Sequence, residues 1–498
     1  MAKTCTELFD GLEHTVLGNV AEEVSGLAYR SDQVKPGDAF FCIVGLSVDG
    51  HSFAQDAIDH GAKVIVAERK VYLADATDVC EVIVSDTRKA MAHAAANFFD
   101  HPSRSFSLVG ITGTNGKTTT TYLVESIARA WARRPGVIGT VGVSIDGAVS
   151  KAARTTPESP DLQRTFADMR AAGCDVVAME VSSHALDLLR TWNTSFSVTA
   201  FSNLTQDHLD YHHTFEAYFE AKARLFSSDY PAKRVICVDS KWGRELLRRC
   251  SNAGDSVITT GFDASAQIYP LDIEYFSTHT SVELTVRGER VRFDCPLVGK
   301  FNVENVMCAF GIGLQLGVPV PTIVEALSAS PQVPGRLERV SDPASDVAVF
   351  VDYAHTPDAL EKALNSVRSI TAGRTFLVFG CGGDRDSAKR SIMGRVSLAA
   401  DHVVVTSDNP RSEDPLAIIA DIVSGMAAGV DRYTVEPDRR RAIAWTIEHA
   451  AAGDSQQNGQ MRGGFFPFSQ KSRQLPRSLV LLFFELLQFL FQAGQILC

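Results

Sequence analysis

The chain has 498 residues, of which 45% are hydrophobic and 21% are charged, and this apolar content excludes a disordered chain. The 59 Asp and Glu residues outnumber the 48 Lys and Arg residues, and the net charge of −11 argues against nucleic acid as a partner. The length predicts about three domains.

The cysteines and the apolar segments indicate where the protein works. Ten cysteines are scattered without a CxxC pair or a metal-ligand spacing, which predicts reduced thiols in the cytoplasm. The N-terminus lacks the basic stretch and apolar core of a secretory signal. Residues 478–498 are long and apolar, but Glu485 and three glutamines argue against a membrane span. We expect a cytoplasmic monomer without a membrane partner.

The apolar runs divide the chain into α/β domains. Residues 1–105 have the pattern of a small α/β domain, with strand-like runs at 38–44 and 62–67. Residues 106–335 begin with a strand, a glycine-bearing turn and a helical stretch, and short apolar runs then alternate with helical stretches. Such alternation is typical of a largely parallel sheet. Residues 336–454 repeat it, which predicts a second doubly wound, Rossmann-like domain.

The composition changes abruptly after residue 454. Residues 455–498 contain seven of the 28 phenylalanines, and four Lys or Arg residues against one Glu. A changed reading frame explains this shift better than a family-specific extension. We therefore expect an atypical hydrophobic tail over residues 455–498.

A phosphate-binding turn is predicted where the first strand of the second domain meets a helix. Lys117 can neutralise phosphate charge there, and the Thr118 hydroxyl can bind Mg²⁺. Ile111 stands where the GxxxxGK[ST] pattern has its first glycine, but the strand context and the GK pair still predict that ATP or GTP binds. The residues of the turn are Gly113, Thr114, Asn115, Gly116, Lys117, Thr118 and Thr119.

Polar residues also follow later strands, at the edge where α/β sheets bind ligands. Glu180 ends an apolar run and is either a metal ligand or a solvated strand end. The loop 203–213 contains several possible metal ligands, among them His208, although helix capping also explains them. In the third domain, Arg385 and Arg411 can hold a carboxylate by bidentate hydrogen bonds, or can lie in ordinary surface loops.

Together, ten motifs resemble those of the Mur ligase family in the family's order, over about residues 25–454. They are GTNGKTT, TTPES, MEVSSHAL, NLTQDHLDYH, EAKARLF, GKFNVEN, PGRLE, DYAHTPDAL, GCGGDRD and DNPRSEDP. The resemblance implies a three-domain α/β ligase with a central ATP-binding P-loop domain and a Rossmann-like C-terminal domain. Such ligases phosphorylate a substrate carboxylate with ATP, and an amine then attacks the acyl phosphate.

The resemblance implies roles for individual residues. Thr118 and Glu180 would hold a first Mg²⁺, and His208 would hold a second one together with a carbamylated Lys222, whose modification replaces a repelling ammonium by an anion. With Lys117, these residues form the implied catalytic and metal-binding set. The residues implied to contact the adenosine and the phosphates of ATP are Asn305, Arg336, Asp352 and His355.

The resemblance also implies two further substrates. The incoming amino acid would be bound by Arg385 and by the tetrapeptide Asp408, Asn409, Pro410 and Arg411, which looks like the form found in members that add meso-diaminopimelate. UDP-N-acetylmuramoyl-L-alanyl-D-glutamate would lie against Ser31, Thr155, Thr156, Ser182 and Arg190.

Ligation of meso-diaminopimelate to this UDP-sugar peptide, in cytoplasmic peptidoglycan synthesis, is the leading hypothesis. Lysine addition ranks second, because lysine lacks the distal carboxylate that the arginines can bind. A folylpolyglutamate synthetase is a further alternative, because it shares the three-domain plan. Family members continue with a strand and a Gly-Lys-Gly-His-Glu stretch that this sequence lacks after Asp454. The resemblance therefore implies a truncated third domain that lacks a strand and whose exposed apolar neighbours the tail covers poorly, which leaves open a non-catalytic binding protein. The apolar tail 478–498 leaves open a membrane-tethered form.

Overall fold

The computed structural model describes residues 2–18, 23–45, 48–71, 79–342, 345–371, 373–426, 431–457 and 478–483. These residues form three β-sheets with helices packed against them. The predicted α/β fold class with three domains is confirmed. No helix of the described ranges combines the length and the apolar character needed to span a membrane.

The N-terminal unit contains a five-stranded sheet. Its strands are β1 (Thr15–Leu17), β2 (Gly26–Ala28), β3 (Asp38–Phe41), β4 (Val64–Ala67) and β5 (Cys80–Ile83), and its helices are α1 (Cys5–Phe9), α2 (Ala54–Asp59) and α3 (Thr87–Phe98). The strand order is β1-β5-β4-β3-β2. Among the described strands of this sheet, only β1 runs antiparallel to its neighbour. β4 reads VIVA and is entirely buried, because hydrophobic clusters cover both faces of the sheet.

The central unit contains an eleven-stranded sheet. Its strands are β6 (Ser107–Thr112), β7 (Pro135–Gly139), β8 (Gly142–Ile145), β9 (Ala148–Ser150), β10 (Val176–Glu180), β11 (Val198–Phe201), β12 (Lys233–Cys237), β13 (Val257–Thr260), β14 (Ile268–Tyr275), β15 (Thr280–Val286) and β16 (Glu289–Cys295). Its helices are α4 (Lys117–Ala130), α5 (Ser159–Ala171), α6 (Ser183–Asp187), α7 (Leu209–His212), α8 (Phe215–Ala223), α9 (Lys241–Ala253), α10 (Lys300–Leu316) and α11 (Val320–Ser328).

The strand order of this sheet is β16-β15-β14-β13-β12-β11-β6-β10-β7-β8-β9. Seven neighbouring strands run parallel to one another, in the order β14, β13, β12, β11, β6, β10 and β7. The carboxyl ends of β6, β10 and β11 therefore meet at one edge of the sheet. Antiparallel hairpins extend both ends of the sheet, and the sequence pattern does not predict them as such.

The apolar run 137–143 is divided between β7 and β8, with a reversal of the chain after Gly139. A Cβ atom on Gly139 would lie 2.3 Å from Glu180 Oε1, so only glycine allows this approach. The reversal brings the next residue, Thr140, to Glu180, where its backbone N–H donates to Oε1 at 2.8 Å. The turn therefore serves the site described below.

The C-terminal unit contains a six-stranded sheet. Its strands are β17 (Glu338–Arg339), β18 (Val347–Asp352), β19 (Arg374–Phe379), β20 (His402–Val405), β21 (Tyr433–Val435) and β22 (Ser478–Phe483), and its helices are α12 (Pro357–Arg368), α13 (Ala388–Ser397), α14 (Pro415–Ser424) and α15 (Arg439–Gln457). The strand order is β17-β18-β22-β19-β20-β21, and β17 is antiparallel to β18 while the others are parallel.

The tail supplies a central strand of this sheet. β22 pairs in parallel with β18 on one side and with β19 on the other. Val480 and Leu481 are fully buried and belong to two different hydrophobic clusters, because successive residues of a strand point to opposite faces. The expectation that the third domain lacks this strand, and that the tail covers its neighbours poorly, is wrong. The run SLVLLF has the continuous apolar character of a strand buried on both faces.

Helix α15 likewise passes the predicted end of the third domain, at residue 454, and continues to Gln457. The other expectations for the tail, including membrane attachment through 478–498, concern residues that lie mostly outside the described ones.

Replacing Leu481 by alanine should destabilise the C-terminal unit by about 2–5 kcal/mol, because the removed atoms leave a cavity in a packed core. Urea denaturation, together with amide hydrogen exchange in β18 and β19, would measure this loss. The control is Leu416→Ala, at a side chain that is 58% exposed, and it should change stability by less than about 0.5 kcal/mol. Equal effects of the two substitutions would contradict the placement of β22.

Candidate active site

A cavity of about 370 Å³ lies between the central and C-terminal units, beside the carboxyl ends of β6, β10 and β11. This is the edge at which parallel α/β sheets bind ligands. Sixteen of the residues named from the sequence line it: Thr114, Asn115, Gly116, Lys117, Thr118, Thr119, Thr155, Glu180, Ser182, His208, Lys222, Asn305, Arg336, Asp352, His355 and Arg385.

The turn between β6 and α4 requires its glycines. Gly113 has φ 153° and Gly116 has φ 86°, a region that L side chains rarely adopt. A Cβ atom would lie 2.0 Å from Ser202 Oγ at Gly113, and 2.1 Å from Asn305 Oδ1 at Gly116. No side chain of the described residues caps the N-terminus of α4, so the N–H groups of its first turn remain available to an anion.

Two lysines converge on one carbonyl of this turn. Lys117 Nζ donates to Gly113 O at 2.9 Å and to Thr114 O at 2.8 Å, and Lys222 Nζ donates to Gly113 O at 2.8 Å. Burial lowers the pKa of both ammonium groups, and the positive charge of Lys117 lowers that of Lys222 further, to well below its ordinary value. Lys222 therefore has an unusual tendency to be a neutral amine.

Glu180 ends β10 inside the cavity and is almost completely buried. Its Oε1 accepts hydrogen bonds from Thr118 Oγ1 at 2.9 Å and from the Thr140 backbone at 2.8 Å, and Thr140 Oγ1 lies 3.2 Å from Oε2. Arg336 Nη2 donates to Thr118 Oγ1 at 3.0 Å, across the boundary between the central and C-terminal units. A carboxylate and a hydroxyl therefore stand side by side at the phosphate turn.

The donor set of the cavity suits a hard cation that is also bound to phosphate. Within the described ranges, no group of three or more His, Cys, Asp and Glu residues can hold a metal ion by itself. Mg²⁺ commonly uses only one or two protein oxygens together with waters and substrate phosphates, and the adjacent Glu180 and Thr118 oxygens fit that requirement.

His208 lines the same cavity and offers a nitrogen ligand. The surrounding protein displaces water from the ring and lowers the pKa of His208 to about 4, against the opposing charge of Asp207. The imidazole is therefore neutral at pH 7, which is the protonation state that binds metals.

Residues of the C-terminal unit and of α10 also line the cavity. Asp352 accepts hydrogen bonds from the backbone of Leu337 at 2.7 Å and of Ala354 at 2.8 Å, and burial raises its pKa to about 6. Burial also lowers the pKa of His355. Asn305 is buried and donates from Nδ2 to Asn302 Oδ1 at 3.0 Å, while its own Oδ1 contacts the phosphate turn at Gly116. The candidate nucleotide residues thus line the same cavity.

A second network lies behind Glu180, towards the N-terminal unit. The Thr156 hydroxyl donates to the Glu180 carbonyl at 2.9 Å and accepts from the Ser182 backbone at 3.1 Å. Arg190 is buried, donates to Thr156 O at 3.1 Å and forms an ion pair of 3.0 Å with Glu158. Thr155, which lines the cavity, lies 3.1 Å from Thr140 through the two hydroxyls.

The structure does not bring every named residue to the cavity. Ser31 starts a short 3-10 helix of the N-terminal unit and is not among the residues that line the cavity. Nearby, Tyr29 Oη donates to Asp161 of α5 at 2.7 Å and joins the two units. Ser31 therefore lies next to a junction with the central unit.

The tetrapeptide 408–411 packs against the glycine-rich loop that carries Arg385. Asn409 O accepts from Gly383 N at 2.8 Å, Arg411 donates to Gly383 O, and Asp408 forms an ion pair of 2.8 Å with Arg439. A Cβ atom on Gly383 would lie 1.9 Å from Pro410 O. Arg385 is exposed and lines the cavity, whereas Arg411 supports the loop beneath it.

Sequence reasoning did not single out several residues of the site. Thr140 contacts Glu180, and Glu304 lines the cavity with a pKa that burial raises to about 7. Asp358 contacts the phosphate turn through Asn115 at 3.2 Å. Thr140 follows an apolar run and was detectable in principle, but Glu304 and Asp358 lie on helices where an acidic residue carries no distinctive signal.

Three family models match the chain. They describe the Mur ligase family catalytic domain at residues 23–108, the Mur ligase middle domain at 111–313, and the Mur ligase glutamate ligase domain at 335–455.

Curated relatives and solved structures agree with these models. The UDP-N-acetylmuramoyl-L-alanyl-D-glutamate--2,6-diaminopimelate ligase of Gloeobacter violaceus is 44% identical over 434 residues, which cover 87% of each chain. A solved structure of an enzyme with that name is 28% identical, with a TM-score of 0.68, and the match covers 97% of this chain and 93% of the other. The folylpolyglutamate synthase of Mycobacterium tuberculosis shares the fold at 20% identity, with a TM-score of 0.64 and coverage of 82% and 95%.

Replacing Gly116 by alanine should lower the affinity for ATP by about tenfold or more, because the added Cβ atom displaces Asn305 and the turn. Gly317→Ala is a matched control, since Gly317 has the same φ of 86° with nothing within 4 Å of the added atom. Both variants should lose stability because of the positive φ, and Gly116→Ala should lose more because of the clash with Asn305, but only Gly116→Ala should lose affinity in calorimetric titration. Unchanged affinity in Gly116→Ala would contradict the assignment of the turn.

Proposed function

The chain belongs to the Mur ligase family of ATP-dependent amide ligases, and on this premise we propose that it joins meso-2,6-diaminopimelate to UDP-N-acetylmuramoyl-L-alanyl-D-glutamate. The observation that carries the proposal is the single cavity that unites the phosphate turn, Glu180 and Lys222 of the central unit with Arg385 of the C-terminal unit. The printed name of the 44% identical relative supports this choice of substrates. We place the reaction in the cytoplasm, in peptidoglycan synthesis.

ATP would bind with its phosphates on the turn after β6. The N–H groups at the start of α4 and the Lys117 ammonium would hold the phosphate oxygens, and Lys117 would exchange its bonds to the Gly113 and Thr114 carbonyls for them. The adenosine would lie against Asn305, Asp352 and their neighbours in the cavity. Mg²⁺, held by Thr118 and Glu180, supplies neutralisation of phosphate charge when bound.

We infer that Lys222 is carbamylated in the active enzyme. Carbon dioxide reacts with a neutral amine, and the lowered pKa of Lys222 increases the neutral fraction at pH 7. The amine nitrogen attacks the carbon of CO₂, a new N–C bond forms as one C–O π bond opens, and the nitrogen releases a proton to solvent, so the neutral amine becomes a carbamate anion. The anion would relieve the repulsion between Lys222 and Lys117, and a carbamate oxygen and the His208 imidazole nitrogen would then be available to hold a second Mg²⁺.

The UDP-sugar peptide would bind on the side of the cavity that faces the N-terminal unit, near Ser31, Thr155 and Ser182. There, the buried Arg190 is already paired with Glu158, and two further arginines, Arg88 and Arg154, lie within 4.0 Å of the same carboxylate. These three guanidinium groups would offer donors to an anionic substrate at this corner.

The reaction would proceed in two steps. The substrate carboxylate attacks the γ-phosphorus of ATP, the bond to the bridging oxygen breaks, and an acyl phosphate and ADP form. The amine of meso-diaminopimelate then attacks the acyl carbon, loses a proton and expels phosphate. Burial and closure of the cavity exclude the water that would otherwise hydrolyse the acyl phosphate.

Selectivity for the amino acid would come from Arg385. Its exposed guanidinium lines the cavity and can form a bidentate pair with the distal carboxylate of meso-diaminopimelate, which lysine lacks. Arg411 would act from beneath, by holding the Gly383 carbonyl and with it the loop that carries Arg385. The ion pair between Asp408 and Arg439 would hold the segment 408–411, which packs against the loop that carries Arg385.

The first test is ATP-dependent phosphate release with the purified chain, UDP-N-acetylmuramoyl-L-alanyl-D-glutamate, and either meso-diaminopimelate or L-lysine. Release with meso-diaminopimelate alone is the expected result. Preference for L-lysine would overturn the choice of amino acid, and binding of ATP without release with either amine would favour the non-catalytic alternative.

Replacing Lys222 by alanine should lower the ligation rate by about a hundredfold or more, because it removes the proposed anionic ligand. In ¹³C NMR with labelled bicarbonate, a carbamate signal should appear in the wild type and be absent from Lys222→Ala. Lys241→Ala, at an exposed lysine of α9, should keep both activity and signal. A carbamate signal that persists without Lys222 would refute the modification at this residue.

Replacing Arg385 by alanine should lower kcat/KM for meso-diaminopimelate by about 10- to 100-fold, the cost of a lost charge-assisted pair. The residual activity should discriminate less against L-lysine, and the KM for the UDP-sugar peptide should stay unchanged. Arg395→Ala, at an exposed arginine of α13, serves as the control. Equal losses for both amino acids would argue that Arg385 does not contact the distal carboxylate.

A further inference from the structure

Asp358 joins the central and C-terminal units next to the phosphate turn. It stands in the first turn of α12, and its Oδ2 accepts hydrogen bonds from Asn115 Nδ2 at 3.2 Å and from Thr205 Oγ1 at 3.0 Å. Lys362 Nζ, one turn further along α12, lies 3.0 Å from the same oxygen. A single carboxylate oxygen therefore binds donors from both units.

The two donors of the central unit belong to one network. Thr205 N donates to Thr114 Oγ1 at 3.0 Å, and Asn115 N donates to Asn203 Oδ1 at 2.9 Å. The phosphate turn and the loop after β11 therefore hold each other in place. The Asn115 amide and the Thr205 hydroxyl can both reach Oδ2 of Asp358 only when the phosphate turn and the loop after β11 are held together in this way.

On the other side, Asp358 follows the short stretch 352–356, which connects β18 to α12 and faces the cavity. Asp352 and His355 of this connector line the cavity, and Asp352 accepts a hydrogen bond from Ala354 N at 2.8 Å, which tightens the chain after β18. A nucleotide that contacts Asp352 and the phosphate turn would thus touch both ends of the link that Asp358 makes. Asp358 itself is not among the described residues that line the cavity.

We propose that Asp358 is a positioning residue that holds the C-terminal unit against the occupied phosphate turn, so that the amine bound near Arg385 faces the acyl phosphate. The inference rests on the function proposed above and adds to it a residue outside the cavity. It assigns the alignment of the two half-sites to the two central-unit donors, Asn115 and Thr205, on one carboxylate oxygen.

A purely local role for Asp358 predicts a different outcome. An acidic residue in the first turn of a helix interacts favourably with the helix dipole, and the ion pair with Lys362 is a partly exposed i,i+4 pair of small energetic value. Both effects act within α12, so their loss would lower the stability of the protein and leave the kinetic constants unchanged. Alignment, by contrast, requires the bonds to Asn115 and Thr205, and its loss would affect the amine more than the other substrates.

The kinetic test compares Asp358→Ala, Thr205→Val and the double variant with wild type. Asp358→Ala should lower kcat/KM for meso-diaminopimelate by about tenfold. The KM for UDP-N-acetylmuramoyl-L-alanyl-D-glutamate should stay within about twofold, because that substrate binds away from α12. Thr205→Val should have a smaller effect alone and none when Asp358 is already alanine. Asp358→Asn provides a second variant of equal size if Asp358→Ala folds poorly.

Glu361→Ala is the matched control, since Glu361 is an exposed acidic residue one position before Lys362 on the same helix. It should match wild type in every kinetic constant. Additive effects of Asp358→Ala and Thr205→Val, or equal losses for all three substrates, would overturn the proposal in favour of a structural role.

A second measurement does not depend on turnover. With a non-hydrolysable ATP analogue, small-angle X-ray scattering should show a larger radius of gyration for Asp358→Ala than for wild type and Glu361→Ala. Identical scattering of all three proteins would overturn the proposed link. If wild type itself makes no product, the proposed function fails, and the scattering result still decides whether Asp358 holds the units together.

Discussion

The site depends on how positive charge is accommodated at the Gly113 carbonyl. Lys117 and Lys222 both donate to this one oxygen, and Lys222 is almost completely buried. Two ammonium groups so close together are costly in a protein interior unless anions accompany them. In the protein without ligands, burial and this repulsion lower the pKa of Lys222. Bound phosphate and a carbamate at Lys222 would together remove the repulsion between the two ammonium groups. The arrangement is therefore complementary to anions before any substrate binds.

The parts of the site that could be predicted from sequence are those whose chemistry is local. The phosphate turn is one of them, because its glycines, Lys117 and Thr118 are contiguous and must stand between a strand and a helix. Lys222 is the opposite case: a lysine on a helix is normally solvated, and only the resemblance to the Mur ligases marked it. Thr140 and Asp358 act through contacts over long sequence separations, which no local pattern contains.

The C-terminal sheet shows a different limit of sequence reasoning. The chain after residue 454 departs from the C-terminal pattern of the family, and that departure predicts a unit that lacks a strand. Strand formation needs only an apolar run of suitable length between two unpaired edges, and residues Ser478–Phe483 meet that condition between β18 and β19. Burial of Val480 and Leu481 in separate clusters then fixes which face each residue occupies.

The Thr118 hydroxyl links the central and C-terminal units through its hydrogen bonds. Its proton is donated to Glu180, and one of its lone pairs accepts from Arg336, which belongs to the segment that leads into the C-terminal unit. A hydroxyl oxygen has two lone pairs, so one remains for a cation. Metal binding and contact with the C-terminal unit are therefore compatible at this atom, and both are oriented by the same carboxylate. A cation held by Thr118 and Glu180 would be attracted by the carboxylate and repelled by the guanidinium of Arg336, so phosphate oxygens would be needed to balance the charge.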